Sequence, residues 1–473
     1  MQQSSVSIDA SKIIEEDYAK KYGFSTSTQY EEFEKGISEE VIRKISKIKD
    51  EPEWMLEKRL TGYKLFREKP IPNWGPDLSS INFDEIYYYK APKSSKGRSW
   101  NDVPIEIRQT FEKLGVPEAE QKFFAGVEAQ FDSGVVYEHA KKQLEDLGVI
   151  FTDTDTAVKK YPELIKKYFG TVIPPSDNKF AALNTATWSG GSFIYVPKNV
   201  KVPIPLNAYF RINSESVGQF ERTLIIADEG ADVVYEEGCT APVYSKDSLH
   251  AAIVEIIAHK DAHVRYITVQ NWARNIYNLV TQRAHAYENA SVEWLDVNIG
   301  SKVNMKYPSI YLMGNNARGM VVSVAIAGDD QTLDSGGKIY HLAPNTTSRL
   351  VSKSISKGTG TAIFRGLIHI GENALNAKAI TSCDTLLLDD NTKTNTYPYI
   401  ETKRNDAYVS HEAKVGTISE KNVFYMMSRG MSEGDAIATI IMGFIKDIVE
   451  ALPIDYALEL KRLIKADMTG SVG

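Results

Sequence analysis

The residues best suited to chemistry in this 473-residue chain are its two cysteines, Cys239 and Cys383, and the adjacent pair His411-Glu412. A thiolate is soft and negatively charged, a good ligand for soft and borderline transition metals. One thiolate cannot complete a metal site alone, so further ligands must come from neighbouring chain or another subunit. His411 follows Cys383 by 28 residues, close to a repeat that runs through this part of the sequence. If that repeat coils, with rungs roughly 4.8 Å apart, Cys383 and His411 occupy matching places on neighbouring rungs. Glu412 then points to the other face or bends outward. Without such spacing, a cysteine in a strand reads as a small buried hydrophobe. Cys239 stands in Glu236-Glu-Gly-Cys-Thr-Ala-Pro242, near a strand end with an accessible backbone. Glu236 and Glu237 raise its thiol pKa and slow attack as thiolate.

Familiar catalytic patterns are missing. Gly336-Gly-Lys-Ile339 lacks the upstream glycine and the hydroxyl of a phosphate-binding loop, and Val415 stands where a zincin needs its second histidine. Nucleotide energy, if used, comes from another chain, and the chain is expected not to be an enzyme. The other seven histidines are scattered; His250, in Leu249-His-Ala-Ala252, is the one held as a secondary candidate.

Composition narrows the class. Lysine and arginine total 55 against 62 acidic residues, a net charge of −7, which is the wrong sign for a general nucleic-acid binder. The longest strongly apolar run, Ala436 to Ile445, is too short to span a bilayer. The N-terminus has no signal or transit pattern, and two cysteines exclude a disulfide scaffold, so a reducing, cytoplasmic setting is expected.

Three regions follow from texture. Residues 1–174 read as helical and mixed, with a helix after Pro52 whose apolar side is Leu56, Leu60 and Tyr63, and others from Val103 to Gly115 and from Pro162 to Phe169. Over 175–415, apolar and polar residues alternate between turns anchored at Ala231, Ala262, Ala290, Ala317, Thr346 and Ala374, spaced 31, 28, 27, 29 and 28 residues apart. A second kind of turn falls between them, at Gly300, Gly328 and Gly358. Two long strands per repeat of about 28 residues predict a flattened right-handed parallel β-helix rather than an antiparallel sandwich, whose turns need not keep a constant period. Residues 416–473 read as helical again: Ser432-Glu-Gly-Asp435 is a capping box, followed by the stripe Ile437, Ile440, Ile441, Phe444, Ile445, Ile448 and Val449. Packing against the chain's own core, or over the open end of the coil, is the default for such a stripe.

Several blocks resemble one family. PEWMLEKRL (Pro52–Leu60), DEIYYYKAP (Asp84–Pro92), RIN (Arg211–Asn213), GQFERTLIIADEG (Gly218–Gly230), YEEGCTAP (Tyr235–Pro242), VQNW (Val269–Trp272), TSCD (Thr381–Asp384) and SRGMSEGDAI (Ser428–Ile437) are similar to the SufB/SufD family of the SUF iron–sulfur cluster assembly system. The first block favours its SufB branch. The resemblance implies a non-enzymatic scaffold on which a transient 2Fe-2S or 4Fe-4S cluster is built and passed to recipient apo-proteins. It implies Cys383, His411 and Glu412 as cluster ligands, with Ser410 where some relatives carry a further glutamate. Cys239 is implied as acceptor of persulfide sulfur from a cysteine desulfurase or sulfur carrier. From Cys239 to Cys383 is about five repeats, on the order of 25 Å, so the sulfur must travel; Arg211, Asn213, Gln270 and Trp272 are candidates for its route. Relatives often carry lysine where Gln282 stands. The implied partners are a SufC-type ATPase, docked by the helix Glu433–Ala451, and SufD or a second SufB copy; flavin is a further possible cofactor. The rival readings are a β-solenoid carbohydrate-active enzyme and a SufD-like structural paralog without its own cluster.

Overall fold

The computed structural model describes residues 25–93, 96–114, 116, 124, 126–242, 246–452 and 454–468. Its centre is a parallel β-solenoid of eight turns whose strands begin at Ser192–Val196 and end at Tyr408–Thr417. The rungs lay strands in two facing sheets, and from Arg318 onward each strand is about ten residues long. A helix, Lys179–Thr187, lies between the expected start of the coil and its first strand.

The repeat closes because one position in each turn accepts a left-handed backbone. Gly230, Asp261, Asn289, Asn316, Asn345 and Asn376 all have φ between 55° and 67°, a region that glycine, asparagine and aspartate enter at least cost. Their side chains also bond along the coil: Asn289 Nδ2 donates to Asp261 Oδ1 at 2.8 Å, Asn316 to Asn289 at 3.2 Å and Asn376 to Asn345 at 3.1 Å. The last interval, 345 to 376, is longer than the sequence anchors imply, since the turn at 371–377 holds extra residues.

Side chains alternate in and out along each strand. The inward set fills the space between the sheets with Tyr235, Tyr266, Trp294, Val321 and Leu350, which occupy successive register positions. Trp294 is fully buried against Tyr266, ring centroids 4.7 Å apart. Trp294→Ala is expected to cost about 3–5 kcal/mol, read as a lowered urea midpoint with an unchanged slope.

The N-terminal end of the coil is closed. The hairpin Gly126–Phe131/Gly134–Ala140 extends one sheet beside Leu206–Arg211, and Ile150–Asp153 pairs antiparallel with Ser192–Val196 on the other. Helix Glu53–Glu68 packs over the outer face, but its buried side is Met55, Arg59, Gly62 and Phe66 rather than the expected Leu56, Leu60 and Tyr63. The stripe is turned because Arg59 goes inward. Its guanidinium pairs with Glu51 at 2.6 Å, donates to the carbonyls of Ala186 and Trp188, and stacks on Trp188. Gly62 touches the helix at 179–187, where a Cβ would lie 2.8 Å from the Ala186 nitrogen.

The C-terminal segment folds into helices Glu420–Ser428, Glu433–Phe444, Lys446–Ala451 and Ile454–Met468. The single helix expected over 433–451 is interrupted at Ile445, whose φ of −103° and ψ of 13° leave the helical range. Its stripe is spent on the chain's own core: Ala438, Ile441, Ile445 and Ile448 bury against the outward residues Leu295, Val297, Val322 and Val324. These helices thus cover a side of the solenoid. The final strands, Lys393–Thr402 and Tyr408–Thr417, each pair on one side only. No described helix is long and apolar enough to cross a membrane.

Candidate functional site

Cys383 lies in strand Lys378–Leu387, pointing inward with Ala379, Thr381 and Thr385. His411 lies in the last strand, with its Nε2 3.4 Å from the Cys383 Sγ. The two are not at matching places: Cys383 registers with Ala413, 30 residues on, and His411 with Thr381. Contact is diagonal, two residues off register on the same face, within reach of a long side chain. Burial, and secondarily the Asp384 carboxylate, push the Cys383 thiol up to about 11, so iron must displace a proton to bind it.

Glu412 does not join this pair. It faces the other side of the strand, largely exposed, and pairs with Lys414 at 2.8 Å. Ser410 shares that outer face by the two-residue alternation. Among the described residues no group of three or more His, Cys, Asp or Glu side chains is placed to hold a metal. One chain therefore offers a thiol and an imidazole in contact at the open end of a coil.

Cys239, in strand Asp232–Thr240, is fully buried inside the solenoid rather than accessible. Its Sγ lies 3.6 Å from Glu237 Oε1 and 3.9 Å from Gln270 Nε2. Burial first, then Glu237 and Glu221, raise the thiol well above its usual range, with Lys306 opposing. Glu236 lies on the other face of the strand and is not part of this effect. Gln270 accepts from Trp272 Nε1 at 3.3 Å and from Asn278 Nδ2 at 2.7 Å. His250 joins the same group: its Nδ1 is 2.6 Å from Asn278 Oδ1, its Nε2 bonds Glu221, and its ring packs on Trp272.

Arg211 and Asn213 lie elsewhere. Phe210 registers with Cys239 and Arg211 with Thr240, so Arg211 faces outward, donating to Thr240 Oγ1 at 3.1 Å. The side chain of Asn213 bonds the Thr26 carbonyl and the Tyr30 hydroxyl in the N-terminal layer. Of the four expected route residues, Gln270 and Trp272 line the lumen, and Arg211 and Asn213 lie outside it.

The register reveals what joins the two cysteines. Glu237, Thr268, Asp296, Ser323, Ser352 and Cys383 occupy one inward column, each registered with the next. Five steps span roughly 24 Å at about 4.8 Å per rung. On the facing wall stand Asn278, Asn304, Lys306 and Ser335. Lys306 and Asp296, both fully buried, form an ion pair across the lumen at 2.5 Å. The cation that Gln282 lacks is thus present at Lys306, one rung further on. The hydroxyls of Thr268, Ser323, Ser335, Ser352 and Thr381 have no protein hydrogen-bond partner although buried. Such groups cost about 1–3 kcal/mol each unless something polar meets them, so the column reads as a lining for a polar guest. Sequence reading missed it because serine and threonine are not ligand types. The signal was present, since these positions recur at 31, 28, 27, 29 and 31 residues, nearly the spacing of the turns.

Comparisons with known proteins place the chain in a family. The family model for the SufBD core domain of SUF system FeS cluster assembly matches residues 210–444, and that for the SufBD protein N-terminal region matches 97–207. Proteins named iron-sulfur cluster assembly SufBD family protein, from Staphylococcus aureus (strain USA300) and Staphylococcus haemolyticus (strain JCSC1435), are each 56% identical over 454 residues, covering 96% of this chain and 98% of theirs. The carbohydrate-active reading falls away, because matches of this extent leave no part of the coil to another family. The chain belongs to the SufBD family of iron–sulfur cluster assembly proteins.

Proposed function

We propose that this chain is the SufB-type scaffold of its family, accepting sulfur at Cys239 and building a transient cluster at Cys383 and His411, not the SufD-type structural paralog. The single observation that carries the reading is the polar column running from Glu237, beside Cys239, to Cys383. A paralog without cluster chemistry has no use for buried unpartnered hydroxyls ending at a thiol and an imidazole. The cluster is cargo, assembled and released to recipient apo-proteins. Anaerobic reconstitution with iron and sulfide tests the reading: stoichiometric iron and acid-labile sulfide support it, and background levels of both reject it.

Two ligands do not complete a cluster, so a second SufBD-family chain supplies the rest at the open end. The last rung exposes Tyr397, Tyr399, Ile400, Tyr408 and Val415 beside unpaired strand edges, the kind of surface that another sheet covers.

ATP hydrolysis belongs to a SufC-type partner. Because the stripe of 433–451 is spent internally, the docking segment is Glu420–Met431, which exposes Phe424, Tyr425 and Met427 with Arg429 stacked on Tyr425. Aromatic residues, methionine and arginine are favoured at interface cores. Phe424→Ala with Arg429→Ala is expected to weaken co-purification of the ATPase by about tenfold or more without lowering the melting temperature. Undiminished co-purification moves the docking surface elsewhere.

A further inference from the structure

We propose that Glu237 is the base that takes the thiol proton of Cys239. The proposal rests on the reading of Cys239 as sulfur acceptor, and adds how a buried thiol becomes a nucleophile.

Glu237 Oε1 accepts from the Cys239 thiol at 3.6 Å, and its Oε2 accepts from Tyr266 OH at 2.5 Å. The Tyr266 ring packs on Tyr235, centroids 5.2 Å apart.

Glu237 is suited to the task by its surroundings. Burial and Glu221 push its carboxyl up to about 7, while Tyr266, Lys306 and His250 hold it from rising further. Tyr235 and Cys239 complete the titratable groups around it. A base poised near neutral pH is the efficient case. In the step itself, the Cys239 S–H bond breaks and its proton passes to Glu237. The thiolate attacks the outer sulfur of a donor persulfide R–S–SH, a new S–S bond forms, the old one breaks, and R–S⁻ leaves to be reprotonated. No net oxidation or reduction occurs, because the transferred sulfur keeps its oxidation state.

A bystander carboxylate predicts the opposite behaviour. If Glu237 merely repelled the thiolate, removing its charge would lower the thiol pKa and speed the reaction. The experiment is alkylation of Cys239 by iodoacetamide in the full chain carrying Cys383→Ser, from about pH 6 to about pH 9. The expected rate rises through an inflection near 7 and then levels, because the ionised carboxylate is the active form. Glu237→Gln is expected to be about tenfold slower or more and to lose the inflection, with Glu237→Asp recovering part of the rate. Tyr266→Phe, which removes a bond to the ionised carboxylate, moves the inflection to higher pH and gives the same test should the Gln chain fail to fold. Faster or unchanged alkylation in Glu237→Gln overturns the base, as does no alkylation of the parent chain at any pH. Labelling with inorganic polysulfide, mapped to the Cys239 peptide, is read separately: the expected alkylation profile without sulfur on Cys239 rejects the acceptor and leaves the base standing.

Discussion

Cys383→Ser is expected to lower iron and acid-labile sulfide after anaerobic reconstitution by about tenfold or more, leaving the melting temperature within about 3 °C. A serine hydroxyl stays protonated where a thiol gives a soft thiolate, so iron loses its strongest ligand. The fold loses little, because the side chain is nearly isosteric and sits beside Thr381, Thr385 and His411 at the open end of the coil. His411→Ala is expected to reduce cluster yield less, since water or a partner ligand fills one iron position. The pH dependence has a definite sign. Burial holds the thiol up to about 11, so iron binding expels a proton throughout the neutral range. Cluster loading therefore strengthens as pH rises toward that value and weakens below neutrality. Full cluster content in Cys383→Ser removes the assigned building site.

Cys239→Ser is expected to abolish sulfur uptake from a cysteine desulfurase charged with cysteine, while reconstitution with free iron and sulfide stays within about twofold of the parent chain. The hydroxyl has no chemistry with a persulfide. Because five rungs separate the two sites, cluster ligands at Cys383 are undisturbed. Mass spectrometry of the Cys239 peptide and iron analysis of the same sample give both readings. A loss of chemical reconstitution in Cys239→Ser would exchange the roles of the two cysteines.

These predictions show which parts of the molecule are legible in its sequence. The period near 28 predicts the solenoid because each rung must spend one left-handed residue per turn, and Asp261, Asn289, Asn316 and Asn345 stand where the pattern puts them. Cys383 and His411 are brought together as their spacing implies, but by a diagonal contact, since extra turn residues shift the final register by two. Arg211 and Asn213 resemble the lumen residues Gln270 and Trp272 in carrying polar groups and yet lie outside the lumen. Alternation along a strand decides the face, and only the pairing of Phe210 with Cys239 fixes which parity points in. The hydroxyl column is the opposite case. Ser323 and Ser352 carry no distinctive chemistry singly, and their meaning appears only when the repeat aligns them with Glu237 and Cys383. The turning of Arg59 inward is likewise invisible to hydrophobic periodicity, because its burial depends on Glu51 and Trp188 from other segments.

The central claim is that sulfur passes inside the coil from Cys239 to Cys383. Its most direct test follows isotopically labelled sulfane sulfur from a charged desulfurase, quantified over time on the Cys239 and Cys383 peptides. The comparison is among the parent chain, Cys239→Ser, and a chain plugged by Ser323→Leu with Ser352→Leu whose native fold is checked by circular dichroism. In the parent chain, label is expected on Cys239 first and on Cys383 afterwards. Cys239→Ser is expected to carry label on neither peptide, and the plugged chain to hold its label on Cys239. Label reaching Cys383 at the parent rate in Cys239→Ser, or in the folded plugged chain, contradicts the internal route.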